Sequence, residues 1–406
     1  MRSQDLRIAI VGAGVGGLTL ALALRQRGLS ADLFEQAHDL AEIGAAVALS
    51  ANGTRELQRL GLLEAVAAKS TEPTELIFRH GPTGERIAAH PMRLDGAYRK
   101  RFGAPYFGIH RADLQRVLSG ALGGEGLHLA HRLVDLAERD GRVTLTFANG
   151  AKAEADLVIA ADGIRSTARK FVLGDDPLRY TRNSGFRGIV PAANLPSLPD
   201  PEAIQIWSGP GAHLVHYAIG PTGEHVNFLA VVEFPNEWTN PEKGLMPTTQ
   251  LEALAFYKDW HPAVAEMVNA VRHELRWGLF ATRPIRRWRR GRVVLLGDAA
   301  HGSLPHQGQG ANATIEDSIV LAESIAGKAN LFAALDAYES IRKPRTRQIQ
   351  RASWAGNRAS HFEDGPARDR RDRGLKRFPD WYGWIHGYDA LGTAQRVGRN
   401  SLAAAG

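Results

Sequence analysis

Apolar residues run without interruption through Ile8–Val11 and again through Val293–Leu296. Short runs of this kind read as strands buried on both faces, as in the parallel sheet of an α/β fold. Each run ends at a glycine. The first enters Gly12-Ala13-Gly14-Val15-Gly16-Gly17, then a helical segment from Leu18 to Arg27 and a second strand, Ala31 to Phe34, ending at Glu35. The second enters Gly297-Asp298, then Leu304-Pro305-His306-Gln307-Gly308-Gln309-Gly310 and a helix over Ala311 to Ala326.

Between these anchors the pattern changes. Glu75 to Arg99 reads as strands broken by Gly81-Pro82-Thr83-Gly84. Phe107 to Leu114 opens a helix, with Arg111 just before it. Val143–Phe147 and Ala155–Ile159 flank Asn149-Gly150 in a hairpin-like pattern, and the second run ends in Ala161-Asp162-Gly163. From Tyr180 to about Trp277 short alternating strands recur, among them Ala203–Trp207, His213–Ile219 and Val226–Phe234. Pro and Gly at their turns predict an antiparallel sheet forming a second domain. Ile43–Leu49 is small and apolar, and fits either a tightly packed strand or a close approach to something flat; Asn52 after it reads as a helix N-cap.

The first anchor has the strand–turn–helix–strand order of a dinucleotide fold. Gly12 allows the tight turn, Gly14 lets the backbone approach a pyrophosphate, and Gly17 lets helix and sheet pack closely. The helix N-terminus faces the phosphates, and Glu35 stands where a carboxylate accepts ribose hydroxyls. The uncharged stretch Ile8–Leu24 behind Arg2 and Arg7 also resembles a signal peptide or membrane span, but the glycines and the second strand argue against that. On the strand His213–Ile219, period two puts His213 and Tyr217 on one face and His216 on the other. That face fits an ordinary half-buried strand, or a site that orients and deprotonates a hydroxylated ring. His301 and His306 have no third ligand at matching spacing, so no metal is expected.

Composition narrows the picture. A chain of 406 residues has two domains as its prior, and 44% hydrophobic with 23% charged residues is ordinary for a globular protein. The absence of cysteine excludes disulfides, thiolate metal sites, thiol nucleophiles and a cysteinyl-flavin bond, and fits a cytoplasmic protein. The net charge of +7 is concentrated in Arg283–Arg292 and Arg342–Arg377. No nucleic-acid motif accompanies it, so an anionic small molecule is the simpler partner. The tail Arg368–Arg377 reads as a solvated helix or loop, and Trp381, Tyr382, Trp384 and Tyr388 as packing back onto the body or onto another subunit.

GAGVGG with Glu35, Asp162-Gly163 and Gly297-Asp298, in this order, resemble the class A FAD-dependent aromatic hydroxylases. PYFGIHRADL, FRGIV, the His213/Tyr217 strand and LPHQGQG are most similar to the salicylate, 3-hydroxybenzoate and 6-hydroxynicotinate group. The resemblance implies an α/β Rossmann-like FAD-binding domain in three pieces, 1–74, 101–179 and 278–355. Antiparallel substrate-domain strands fall at 75–100 and 180–277, and a C-terminal helical tail at 356–406. It implies FAD contacts at Gly12, Gly14, Gly16, Gly17, Glu35, Gln36, Ala46, Val47, Arg111, Asp162, Asp298, Pro305, Gly308, Gly310 and Ala311. His213, Tyr217 and His306 become the catalytic candidates, with His213 or His306 as base. Arg187 is a candidate for steering an anion or nicotinamide, or a structural residue. The implied activity uses NADH or NADPH and O2, through a flavin C4a-hydroperoxide, to hydroxylate a phenolic or hydroxylated (hetero)aromatic acid, with or without loss of a carboxylate. The alternatives are a larger ring or an alkene with the same chemistry, an NAD-linked dehydrogenase, or a non-catalytic flavin binder. A monomer or homodimer without membrane or nucleic-acid partners is expected. The sequence departs from the family at Ser50-Ala51-Asn52, where Gly-Pro-Asn is common, and at Ala46, where glycine is frequent.

Overall fold

The computed structural model describes residues 6–40, 46–174, 176, 178–238, 244–328 and 330–403. Ile43, Gly44 and Ala45 lie outside them; Ala46–Leu49 is a strand.

The first anchor builds the centre of a six-stranded sheet. Ile8–Val11 pairs in parallel with Leu157–Ala160 on one side and Asp32–Phe34 on the other. Val293–Leu295 extends the sheet beside Leu157–Ala160, and Leu127–His128 extends it beyond Phe34. The residues of Ile8–Val11 are all buried, as helices on both faces of a parallel sheet require. The helix after the glycines starts earlier than its apolar run suggests, at Val15, and spans Val15–Arg25. Leu18–Leu24 is buried all round, because the helix lies between the sheet and the helices Arg111–Leu122 and Gly310–Ala326.

The eight-stranded sheet joins two distant stretches of chain. Glu75–His80 and Arg86–Pro91 sit at one edge, next to Ile204–Gly209, Ala212–Ile219, His225–Glu233, Arg179–Pro191, Leu275–Ala281 and Leu245–Pro247. The expected strand content of residues 75–99 stops at Pro91; Ala97–Phe102 is a helix ended by Gly103 in the left-handed conformation. The expected hairpin partner Ala155–Ile159 is divided. Lys152–Ala155 pairs with Arg142–Phe147, whereas Leu157–Ala160 enters the parallel sheet. Asp156 makes the break: its Oδ2 accepts from the Arg7 backbone N–H at 3.0 Å, which turns the chain from one sheet to the other.

Buried charge ties these layers together. Glu316 and Asp317, on the helix Gly310–Ala326, are fully buried. Arg342, also fully buried on the long helix Leu331–Ser360, donates to Asp317 at 2.6 Å and pairs with Glu316 at 2.7 Å. Arg345 donates to both oxygens of Glu316 and to the Ile385 carbonyl. His301 meets Asp317 at 2.5 Å, and the Gly297 N–H donates to the same oxygen. Burial raises both carboxyl pKa values, but Arg345 and Arg342 around Glu316, and His301 and Arg342 around Asp317, bring each below its ordinary value. Removing one member strands the others without solvent. Arg342→Met is therefore expected to lower stability by about 3–5 kcal/mol, read as the midpoint of urea unfolding. An unchanged midpoint refutes the dependence.

Candidate active site

A cavity of about 1660 Å³ lies between the two large sheets and is closed by C-terminal helices. One wall is the nucleotide fold. Gly14 and Gly310 stand at the N-termini of Val15–Arg25 and Gly310–Ala326, and neither helix has a side-chain N-cap. An added Cβ at Gly14 or Gly310 meets nothing within 4 Å. Two helix ends thus offer free N–H groups and positive dipole ends to the same space. The tight turn behind them depends on glycine. Gly12 has φ +102, and a Cβ on Gly17 falls 1.9 Å from the Gly12 carbonyl oxygen.

Of the residues expected at a cofactor, Gly14, Gly16, Ala46, Val47, Arg111, Asp298, Pro305, Gly308, Gly310 and Ala311 line the cavity. Arg111 is the first residue of its helix rather than just before it; His110 caps that helix through Nδ1. Burial raises the pKa of Asp298, while His301 and Arg111 pull it back. Gly12, Gly17, Glu35, Gln36 and Asp162 stand behind the lining. Glu35 accepts from the N–H groups of Ala13 at 2.7 Å and Ala37 at 2.9 Å, so its carboxylate holds the glycine turn. Gln36 is exposed. Asp162 Oδ2 accepts from the Ala168 N–H, and its buried Oδ1 has no partner. The Ser50–Asn52 departure is accommodated by polar contacts. Gln309 donates to the Ser50 hydroxyl, Asn52 donates to Gln309 and Glu316, and Asn312 accepts from the Ser50 N–H.

The facing wall is the eight-stranded sheet. His213, Val215 and Tyr217 point into the cavity from one strand, and His216 is buried on the other face beside Trp207. His306, from the turn Pro305–Gln307, brings its ring to 4.7 Å from that of His213. Neither ring nitrogen of His306 has a protein partner. Burial first, then His306 and His361, holds the His213 pKa well below its ordinary value. Burial, then His361, pushes His306 down to about 3. Burial, then Tyr106, pushes Tyr217 up, so its phenol stays protonated. Arg187 lies over the Trp277 ring, 3.3 Å from its centroid.

Sequence reasoning missed one side chain and the cavity-lining part of one segment. His361 closes the long helix and its Nε2 lies 2.7 Å from His213 Nδ1, with nothing in the local sequence to mark it. The run Arg368–Arg377, expected as a solvated helix or loop, is largely the helix Pro366–Leu375, and its Arg370, Arg371 and Lys376 also line the cavity. Trp381, Tyr382 and Trp384, expected to pack back, lie on the helix Phe378–His386, with Tyr382 on the same lining. The basic run before the second anchor is engaged by protein: Arg289 pairs with Asp336 and Arg290 covers Phe171.

The family described as FAD binding domain matches residues 5–353. This chain belongs to the FAD-dependent aromatic monooxygenases. It is 38% identical over 393 residues to 3-amino-4-hydroxybenzoate 2-monooxygenase of Streptomyces cremeus, covering 96% of this chain and 97% of that one. It is 32% identical to 6-hydroxynicotinate 3-monooxygenase of Bordetella bronchiseptica, covering 98% and 99%. A salicylate hydroxylase substrate complex superposes with a TM-score of 0.82 at 28% identity, covering 97% and 98%. These relatives are monooxygenases, which favours the hydroxylase over the dehydrogenase expectation. FAD fits the residues present: the open cradle at Gly14 and Gly310, the two uncapped helix ends and the unpartnered Asp162 oxygen are what a diphosphate and its sugars require.

Gly17→Ala, which drives a methyl group into the Gly12 carbonyl, is expected to purify with most of its FAD lost. Gly120→Ala, whose Cβ meets open space, retains it. The ratio of visible flavin absorbance to protein absorbance decides, and equal ratios refute the packing role. A second expectation concerns acid. Burial holds His216 and His306 at about 3 and His386 at about 4, against 6.5 for a free imidazole. Because these folded values are depressed, the unfolded chain binds more protons below 6.5, and stability falls as pH drops from there towards 4. The slope is about 1.4 kcal/mol per pH unit for each histidine. A melting temperature that stays flat between about pH 7 and about pH 5 contradicts this.

Proposed function

We propose that the enzyme is a cytoplasmic monooxygenase that uses NADH or NADPH to hydroxylate a phenolic benzoic acid, with 3-amino-4-hydroxybenzoate the first candidate. The observation that carries this is the His213–His306 pair, two buried imidazoles held neutral at the cavity wall. Bound FAD supplies the activation of O2 and delivery of one oxygen atom to the ring. The chain does the rest. The glycine turn and the free N–H groups at Gly14 hold the pyrophosphate. Glu35 serves the adenosine ribose through the turn it supports, Arg111 the ribose or pyrophosphate region, and Asp298 the ribityl chain. Asp162 belongs to the same cradle. The N–H groups at Gly310 and Ala311 would serve the pyrimidine end of the ring and would stabilise negative charge there.

At the other wall, His213 takes the hydroxyl proton, because a phenolate is the better nucleophile towards an electrophilic oxygen. A neutral imidazole is the form that accepts it. Tyr217, protonated, donates a hydrogen bond to the ring substituent. His306 fills the remaining side and carries no charge at neutral pH. Lys100, Arg101, Arg370 and Lys376 on the lining favour an acid over a neutral ring. The surrounding apolar groups, including Leu76, Phe78 and Ile206, exclude water from the reacting centre.

The test is NADH and NADPH oxidation by the FAD-loaded enzyme against a panel of hydroxylated and aminated benzoic and nicotinic acids. Products are identified by mass. Stimulated oxidation with a product one oxygen heavier is expected, and no stimulation by any acid of the panel refutes the substrate class. In His213→Ala, single-turnover hydroxylation is expected to slow by about 10²-fold or more while flavin reduction keeps its rate. Equal slowing of both steps removes His213 as the base.

A further inference from the structure

We infer that His361 and Glu233 form an outlet for the substrate's hydroxyl proton, leading from His213 at the cavity wall to the protein surface; this rests on His213 being the base. His213 Nδ1 lies 2.7 Å from His361 Nε2, and His361 Nδ1 lies 3.1 Å from Glu233 Oε1. The exposure of the side chains rises along this line: that of His361 is 1% exposed and that of Glu233 58%. The chain of groups therefore starts at a closed cavity wall and ends in water.

The direction of each hydrogen bond follows from the last member. An ionised carboxylate only accepts, so His361 Nδ1 donates to Glu233. Neutral His361 then carries its lone pair on Nε2, and His213 Nδ1 donates to it. Neutral His213 is left with its lone pair on Nε2, the nitrogen remaining for the cavity. An exposed glutamate thus sets the tautomer that a buried base needs, through an intervening ring.

Proton transfer along this line balances without a co-reactant. The substrate O–H bond breaks and an N–H bond forms on His213 Nε2. The Nδ1–H of His213 passes to His361 Nε2, and the Nδ1–H of His361 passes to the Glu233 carboxylate. The negative charge that began on Glu233 now resides on the phenolate, and Glu233 gives its proton to solvent. The reverse sequence reprotonates the product hydroxyl. A base without an outlet would keep the proton on His213, fully buried beside the rings of His306 and His361. That is the position where burial and those two neighbours most oppose a cation.

Among the described residues, the groups that stand against His213 and His361 include no second carboxylate. Against His213 stand His306 from the turn Pro305–Gln307 and His361 from the end of the long helix. The Tyr257 hydroxyl donates to the backbone carbonyls of His213 and Val231. Against His361 stands Glu233, the charge that acts on it. The backbone fixes the geometry from both ends. His361 N–H donates to the Arg358 carbonyl, Gly211 N–H donates to the His361 carbonyl, and Glu233 N–H donates to the Gly211 carbonyl.

The test follows ionisation of 3-amino-4-hydroxybenzoate on binding to the oxidised holoenzyme, by stopped-flow ultraviolet difference absorbance. Glu233→Gln and His361→Gln are each expected to slow phenolate formation at least about tenfold, well inside the range of positioned proton transfer. The dissociation constant and the rate of flavin reduction stay as in the unaltered enzyme. Glu233→Asp restores part of the rate. Because position 233 faces solvent, added acetate or imidazole is expected to restore part of it to Glu233→Gln, which a purely structural loss would not allow. Phenolate formation that keeps its rate in both Gln variants, while His213→Ala abolishes it, overturns the outlet and leaves the base standing. Phenolate formation unaffected by His213→Ala, or no binding of the acid, overturns the reading of the site itself.

Discussion

Two adjacent acids on one helix hold the molecule in register. Glu316 and Asp317 lie where a helix of this apolar character normally carries leucine or alanine, and each is satisfied by arginine from the long helix behind it. Through Asp317 the cluster fixes the Gly297 turn and His301; through Glu316 it fixes Asn52 and the carbonyls at the end of the helix Phe378–His386 that Arg345 binds. The strand ends, the helix N-terminus and the C-terminal segment that surround the cavity thus all refer to one pair of carboxylates. Buried ion pairs add little net stability compared with apolar packing, and their use is to specify one arrangement over others. Here the arrangement specified is the shape of a cofactor site.

The two walls of the cavity work by opposite electrostatic means. The nucleotide wall offers fixed positive ends of helices and backbone N–H groups, which need no reorganisation when negative charge arrives. The sheet wall offers buried imidazoles that carry no charge. Burial keeps them neutral, and neutrality makes them acceptors. The same burial makes a retained proton costly, so a hydrogen-bonded path out of the wall is a physical counterpart of the base itself.

Much of the fold was legible because its signals are local. The glycine turn, the apolar strand runs and the period-two face of His213 and Tyr217 each depend on neighbours within a few residues. The misplacements have the opposite character. Asp156 splits an apparently continuous strand because it reaches the Arg7 backbone, 149 positions away. His361 meets His213 across 148 positions, and no periodicity joins them. The charged tail looked solvated because Arg and Lys bury their stems while their heads stay wet, and a count of charges does not distinguish that from full exposure.

The charged tail also decides where the working site ends. The family match ends at residue 353, while the cavity draws on Phe362, Arg370, Leu375 and Tyr382 beyond it. The last helices therefore belong to the wall of the site although the family match stops short of them. They are coupled to the cradle through Arg345, which joins the Trp384 and Ile385 carbonyls to Glu316. The boundary of the shared domain is thus not the boundary of the working cavity, as expected when function resides in sites built onto a shared fold.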